Sequence, residues 1–422
     1  MISIEQIRND VEYVKRQLSF KGDTKSVDTI VSLDKSYRSY ISQSNELRAK
    51  RNQVSGEISA AKKSRNSADK EIKDMRIVGE EIKSIEEKAN EIKNELDELL
   101  LRLPNLPHES TPEGKDETEN KLIREWGKEN KKDFELKNHL ELGDNLGLFD
   151  FEAAAKISGS GFPLYKGKGA KLERALINYM LDFQTKNHGY MEIFPPFMVR
   201  DSSPLTTGNL PKFSDDMYHI QSDELWMIPT AEVPITNIHQ NEILSEDELP
   251  LKYAAYSACF RREAGSHGKD TKGLLRLHQF NKVELVQFVK PEHSYEVLEG
   301  LTANAEAVLQ SLGLKYRVIE LCSGDLSFAA AKCYDLELWA PAEEKWLEVS
   351  SCSNFESFQA RRGNIRYRNS KDNNVEFVHT LNGSGVATPR LLVSLLETYQ
   401  KSDGSISIPK PLQPYIGLEV ID

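Results

Sequence analysis

The chain has 422 residues, of which 39% are hydrophobic, 29% charged and 8% aromatic, and 55 basic against 66 acidic side chains give a formal charge of −11. That length predicts two or three domains, and the acidic balance means that any nucleic-acid contact must come from a local basic patch. The opening MISIEQIRND lacks the charged-then-apolar layout of a secretion signal, and no run approaches the roughly 18 apolar residues that span a bilayer, so a cytoplasmic, membrane-free protein is expected. Cys259, Cys322, Cys333 and Cys352 lie far apart with no C-x-x-C pair, which predicts buried reduced thiols over disulfides or a zinc cluster.

Apolar residues at helical spacing, Ile4, Ile7, Val11, Val14 and Leu18, predict a first short amphipathic helix. Leu33, Tyr37, Tyr40, Ser44, Leu47, Arg51, Val54, Ile58 and Ala61 then alternate steps of four and three. The rhythm returns at Met75, Val78, Ile82, Ile85, Ala89, Ile92, Leu96, Leu99 and Leu103. Two heptad-patterned stretches around the polar KKSRNSADK predict an antiparallel helical hairpin over about 31–103, each helix about 50 Å long and projecting as an arm. Its turn end is basic, with Lys62, Lys63, Arg65, Lys70 and Lys73, while its base is acidic. That polarity suits an arm that grips phosphates, although a solvated coiled coil would also be charged.

The proline-bearing stretch PNLPHESTPEGKDETEN cannot continue a helix and predicts a linker over 104–125, with one α+β domain from 126 to 422. Strands are expected at MEIFPPFMV, KYAAYSACF, VELVQFV, YRVIEL, YDLELWA and KWLEVSS, and helices at about 168–187, 293–312 and 387–400. Strands that arrive without regularly alternating helices favour an antiparallel sheet over a doubly wound one. No GxxxxGK[ST] occurs, and GKGAK at 167–171 lacks the frame of a dinucleotide-binding turn.

The stretch CFRREAGSHGKDTKGLLRLHQFNKVELVQ, 259–287, reads as two strands joined by a long basic loop. Alternation places Arg261 and Glu263 on one face of the first strand, and Glu284 on the returning one. A guanidinium and two carboxylates facing one way are costly to bury unless they pair or bind a ligand. His278 and His267 are read as structural or loop residues, not catalytic ones.

This strand–loop–strand with Phe280 on its return, together with NGSGVATPR at 382–390, resembles motifs 2 and 3 of the class II aminoacyl-tRNA synthetases, and HGYMEIFPPFMV at 188–199 resembles motif 1. IPTAEVP at 228–234, LEVSSCSNF at 347–355 and the long N-terminal arm narrow the resemblance to the seryl-tRNA synthetases, over essentially the whole chain. One departure is ATPR, where a small residue or Glu is expected beside the arginine; Pro389 suits the first turn of a helix.

The resemblance implies ATP-dependent formation of seryl-adenylate and transfer of serine to tRNA-Ser, with tRNA-Sec a further candidate. Arg261 and Arg390 would be the catalytic cations, the first bridging serine's carboxylate and the α-phosphate, the second holding the γ-phosphate. Thr230, Glu232, Glu284 and Ser384 would bind serine. Arg261, Arg262, Glu263, Phe280, Glu348, Val349, Ser350, Ser351 and Arg390 would bind ATP, with Glu348 and Ser351 also ligating Mg²⁺. Lys62, Lys63 and Arg65 on the arm would contact the long variable arm of the tRNA, and Lys269 and Lys272 the acceptor stem. Motif 1 implies a homodimer. Two other readings remain open: a serine-activating relative that loads a carrier protein, against which the arm argues, and an inactive tRNA-binding scaffold, against which the retention of Arg261, Glu263, Glu348 and Arg390 argues.

Overall fold

In the computed structural model, residues 1–22, 24–64, 67–129, 132–264 and 273–422 are described, and the chain divides into two compact units, Met1–Pro104 and Asn105–Asp422. Among the described residues no helix is long and apolar enough to cross a membrane. All four cysteines are buried and unpaired.

The first unit consists of α1 (Ile4–Asn9), α2 (Val11–Phe20), α3 (Lys25–Lys63) and α4 (Asp69–Arg102). The single short helix expected at the start is two, because Asp10 leaves helical geometry and caps α2, its carboxylate accepting the Tyr13 N–H at 3.0 Å. At 1.5 Å per residue, α3 and α4 are about 58 and 51 Å long. They pair along the heptad seam: Ser44, Ile82, Ala89 and Leu96 are fully buried, and Leu47, Val54 and Ile58 half-buried. Arg51 departs from the pattern and is exposed. At mid-arm the seam is polar. Ser44 Oγ donates to Glu86 Oε1 at 2.8 Å and Arg48 reaches the same oxygen at 2.7 Å, a contact that fixes the register of the two helices. At the base, Arg8 of α1 donates two hydrogen bonds to the buried Asp34 of α3, at 3.0 and 2.9 Å. Burial alone would raise the Asp34 carboxyl, but the bonds from Arg8 and Arg38 outweigh it and hold the group below its ordinary range.

The second unit is built on an eight-stranded sheet of β1 (Lys121–Trp126), β2 (Met191–Ile193), β3 (Leu251–Phe260), β4 (Gln279–Val289), β5 (Tyr316–Glu320), β6 (Lys332–Ala340), β7 (Lys345–Asn354) and β8 (His379–Ala387). The order is β1-β5-β6-β7-β8-β4-β3-β2, antiparallel throughout except for the parallel β2–β3 pair at one edge. The helices that matter for the site are α5 (Lys168–His188), α6 (Glu232–Thr236), α7 (Ser294–Ser311) and α8 (Thr388–Tyr399).

Alternation along β4 decides which face is which. Val283 and Leu285 join the main core with Leu176 of α5, Leu301 of α7 and Leu392 of α8. Val286 and Phe288 point the other way, into a second cluster with Ala231 and Ile235. Lys282 and Glu284 share that second face. Two of the irregularities in the ladders lie beside the site. Between β6 and β7, Leu336 pairs with Ser350 but Glu337 with Glu348, so Val349 is an extra residue. Between β4 and β8, Ser384 pairs with Glu284 and Ala387 with Lys282, so β8 also carries one residue too many, and Val386 there sits at φ 103°. A β-branched residue in that region stores backbone strain of about 1–3 kcal/mol.

The stretch 104–125, expected as a linker, differs from that reading. Asn105 is buried in the second unit, its side-chain amide donating to the carbonyls of Ala329 and Phe355, both at 2.9 Å. Farther on, β1 pairs with β5 at the edge of the sheet, so the second unit starts before residue 126. The prolines exclude a continuous α-helix over this stretch but not docking of extended chain through side-chain amides.

Candidate active site

The second face of the sheet opens into a cleft of about 920 Å³ lined by Thr230, Glu232, Arg261, Glu263, Phe280, Lys282, Glu348, Val349, Ser350, Ser351, Ser384 and Arg390. Glu284 lies at its floor, fully buried.

Arg261 and Glu263 reach the cleft by a different route from the one the alternation predicts. β3 ends at Phe260, and both residues lie beyond it. Glu263 adopts φ 52°, a turn conformation and not an extended one, and its carboxylate accepts from Arg276 Nη1 at 2.9 Å. Glu263 and Arg276 flank residues 265–272 in the chain, so this pair joins the described segments on either side of them. Arg261 Nε donates to the Pro229 carbonyl at 3.4 Å, and its guanidinium lies 5.1 Å from the Phe280 ring centroid. The guanidinium is thereby stacked, which suits it to present its fork to oxygen anions.

The acidic floor is a network. Thr230 Oγ1 donates to Glu284 Oε2 at 2.7 Å and accepts the Glu232 N–H at 3.2 Å. Gln359 Nε2 donates to Glu232 Oε1 at 2.6 Å, and Asn382 Nδ2 to Glu232 Oε2 at 2.8 Å and Glu284 Oε1 at 3.4 Å. Burial, followed by the charge of Glu284, raises the Glu232 carboxyl to about 7. Ser384 is held on β8, where its carbonyl accepts from Ser350 Oγ at 2.6 Å.

On the opposite wall, the extra residue at Val349 has a geometric effect. In a regular strand, residues 348 and 351 would face opposite ways. With one residue added between them, Glu348 and Ser351 share the face that also carries Asp335 and Glu337 of β6. Arg390 enters from the first turn of α8, its guanidinium donating to the carbonyls of Glu348 at 2.8 Å and Leu275 at 3.3 Å, with the Glu348 carboxylate 3.6 Å away.

Arg262 is not among the residues lining the cleft; its side chain is exposed and its N–H donates to the Asp216 carbonyl at 2.9 Å. His278 is not among the residues lining the cleft; its Nδ1 faces the Arg261 carbonyl at 3.0 Å, and a Cβ on Gly161 would meet its ring at 2.5 Å. Lys62 and Lys63 are exposed at the end of α3. Arg65, His267, Lys269 and Lys272 lie outside the described residues. Sequence reasoning missed Gln359, Asn382, Arg276 and Lys282. Lys282 alone had a usable signal, the alternation Phe280, Lys282, Glu284 on one strand.

An antiparallel sheet that gathers a strand–loop–strand arginine and a helix-start arginine around one cleft is the core of a class II aminoacyl-tRNA synthetase. Residues 213–399 match the tRNA synthetase class II core domain (G, H, P, S and T), and residues 1–107 the seryl-tRNA synthetase N-terminal domain. The chain is 53% identical over the full length of both proteins to a serine–tRNA ligase of Chloroherpeton thalassium, and 52% identical to that of Geobacillus kaustophilus, over 99% of each. Its fold is similar to that of a seryl-tRNA synthetase from Pyrococcus horikoshii, solved with ATP, at a TM-score of 0.94 and 39% identity over 100% of this chain and 99% of that one. A cytoplasmic serine–tRNA ligase from Naegleria fowleri, solved with AMP, gives a TM-score of 0.89 at 29% identity, again over 100% and 99%. The chain belongs to the seryl-tRNA synthetases, class II enzymes that activate serine and charge it onto tRNA-Ser.

Proposed function

We propose that this cleft binds ATP and serine side by side and joins them through Arg261. The observation that carries the assignment is the position of the Arg261 guanidinium beside the acidic Thr230–Glu232–Glu284 floor. A serine zwitterion placed there puts its ammonium and hydroxyl on the floor and its carboxylate on the guanidinium. The carboxylate must then approach an anionic α-phosphate, and a bidentate cation lowers their repulsion while holding the two in line. Its oxygen forms the new bond to phosphorus as pyrophosphate leaves. No general base is needed, because the attacking carboxylate is already ionised. Phe280 offers a stacking face for adenine, Glu263 an acceptor for its exocyclic amine, Val349 and Ser350 backbone beside the nucleotide, and Arg390 a cation for the γ-phosphate at a helix start that itself favours anions. Arg262 has no evident role beyond its exposed charge.

Glu348 and Ser351 are hard oxygen donors on one face, and Asp335 lies behind them, its carboxyl pushed up by burial and then by the charge of Glu348. A wall with that excess of acidic oxygens fits Mg²⁺. The ion would neutralise phosphate charge; Glu348 and Ser351 would hold it against the β7 wall. Glu348→Gln is expected to raise the Mg²⁺ concentration for half-maximal pyrophosphate exchange on the order of tenfold or more. An unchanged Mg²⁺ titration would remove Glu348 from the metal.

Selectivity follows from the floor. Alanine leaves buried polar groups unpaired, so it is rejected electrostatically, whereas threonine satisfies the same bonds and must be rejected by its extra methyl group. Pyrophosphate exchange measured with each of the twenty amino acids is expected to respond to serine, with alanine slower by at least about 10³-fold. Comparable exchange with another amino acid would overturn the reading.

For tRNA, the arm's exposed Lys62 and Lys63, with Arg65, would contact the backbone of the long variable arm, and Lys269 and Lys272 the acceptor stem. A homodimer is supported by exposed apolar residues at the sheet's β2 edge: Met191, Phe194 and Met198 are 62, 75 and 49% exposed. Four buried, unpaired thiols suit the reducing cytoplasm.

A further inference from the structure

Lys282 lies between Phe280 and Glu284 on β4, and alternation puts all three on the cleft side of the strand. It is 6% exposed, which is rare for a lysine. Its Nζ donates to Thr230 Oγ1 at 3.0 Å and forms an ion pair with Glu284 Oε2. These are the two atoms on which serine's polar groups must act. Thr230 Oγ1 has no acceptor capacity left. Its proton goes to Glu284, and its lone pairs take the Glu232 N–H and the Lys282 ammonium. A substrate ammonium can bond to Thr230 only if one of these partners withdraws. The Glu232 N–H is fixed in the start of α6, whereas Lys282 sits at the end of a flexible four-carbon stem.

We propose that Lys282 is a tethered stand-in for the substrate's ammonium group: in the empty cleft its Nζ holds the Thr230–Glu284 contacts, and serine binds by exchanging its own ammonium for that of Lys282. The idea deepens the serine-site assignment above and rests on it. The charges around Nζ support the exchange. Glu232 of α6 and Glu284 of β4 face it, the Arg261 guanidinium lies beside the same floor, and Cys259 of β3 is a buried neutral neighbour. Lys282 sets a positive charge beside both carboxylates, and the bound form merely swaps one cation for another. A neutral analogue that carries a hydroxyl in place of the amine cannot make that swap, so the lysine also screens for the charge of the substrate.

A tethered ammonium has a high effective concentration at its own site, so a free amine cannot compete with it, but can enter once it is removed. In Lys282→Ala, methylammonium is expected to inhibit pyrophosphate exchange competitively against serine, while leaving the KM for ATP unchanged and having no such effect on the unsubstituted enzyme. Serine KM in Lys282→Ala should shift by on the order of tenfold while ATP KM does not. Lys282→Arg, which keeps the charge, should restore insensitivity to methylammonium. Lys282→Met keeps the apolar stem, and supplies the same readout should the alanine variant fold poorly. Methylammonium that activates without competing, or serine and ATP KM values that move together, would mark Lys282 as a structural counterion and overturn the exchange. Glu284→Gln separates the two levels. An unaltered serine KM there sinks the serine-site assignment itself. A raised serine KM there, combined with no methylammonium competition in Lys282→Ala, sinks the exchange alone.

Discussion

Arg261→Ala should abolish serine-dependent pyrophosphate exchange while leaving the fold intact. The loss expected is at least about 10³-fold in kcat, equivalent to about 4 kcal/mol of transition-state stabilisation. Two observations make the effect chemical and not structural. The side chain lies beyond the end of β3, exposed to the cleft, and the hydrogen bond that anchors it is a long one, 3.4 Å to the Pro229 carbonyl. Its stacking on Phe280 contributes order more than stability. Arg261→Lys should fall nearly as far, because a single ammonium cannot hold a carboxylate and a phosphate in one plane. Normal exchange in the alanine variant, with unchanged thermal unfolding, would move the two anions to some other cation.

The second large effect is expected from the arm. Replacing residues 45–85 by a short glycine-bearing turn cuts the hairpin at the Ser44–Glu86 contact, leaving the Arg8–Asp34 base untouched. Because the cleft is lined entirely by residues of the second unit, exchange without tRNA should survive within about twofold. Charging of tRNA-Ser should drop by on the order of 10²-fold or more, since the basic turn end is removed and its phosphate-neutralising charge goes with it. Milder neutralisation of Lys62, Lys63 and Arg65 should flatten the salt dependence of tRNA binding, by roughly one unit of log–log slope for each phosphate left without its cation. Full charging by the truncated chain would leave the basic end without a role in tRNA recognition.

Much of this was legible in the sequence because the signals are periodic. The heptads of α3 and α4 and the β-branched runs of β3, β4, β6 and β7 each announce a face that has to be buried. The cleft residues were legible for a different reason, the resemblance of three long motifs to those of class II synthetases. What escaped depends on single residues whose meaning lies elsewhere in the chain. Asn105 docks onto carbonyls 224 and 250 residues away, so no local pattern distinguishes it from linker. Gln359 and Asn382 orient Glu232 from 127 and 150 residues away. Glu263 lines the cleft through a positive φ that period-two reasoning could not anticipate. The break at Asp10, by contrast, had a readable cap, which the continuing apolar spacing across it obscured.

The supernumerary Val349 makes strand length a variable separate from strand composition. Exchanging its side chain for another aliphatic alters a little packing. Losing the position altogether would leave every rung of the β6–β7 ladder paired as it is now, with Glu348 and Ser351 on one face as an ordinary alternating pair, and only the local bend and twist of the bulge would go. The Ser351 and Ser353 hydroxyls would keep the nucleotide wall, and the Cys352 thiol would stay on the side of Leu301. Over evolutionary time, this one position can therefore be lost as well as exchanged without carrying a cleft side chain to the other face of the sheet.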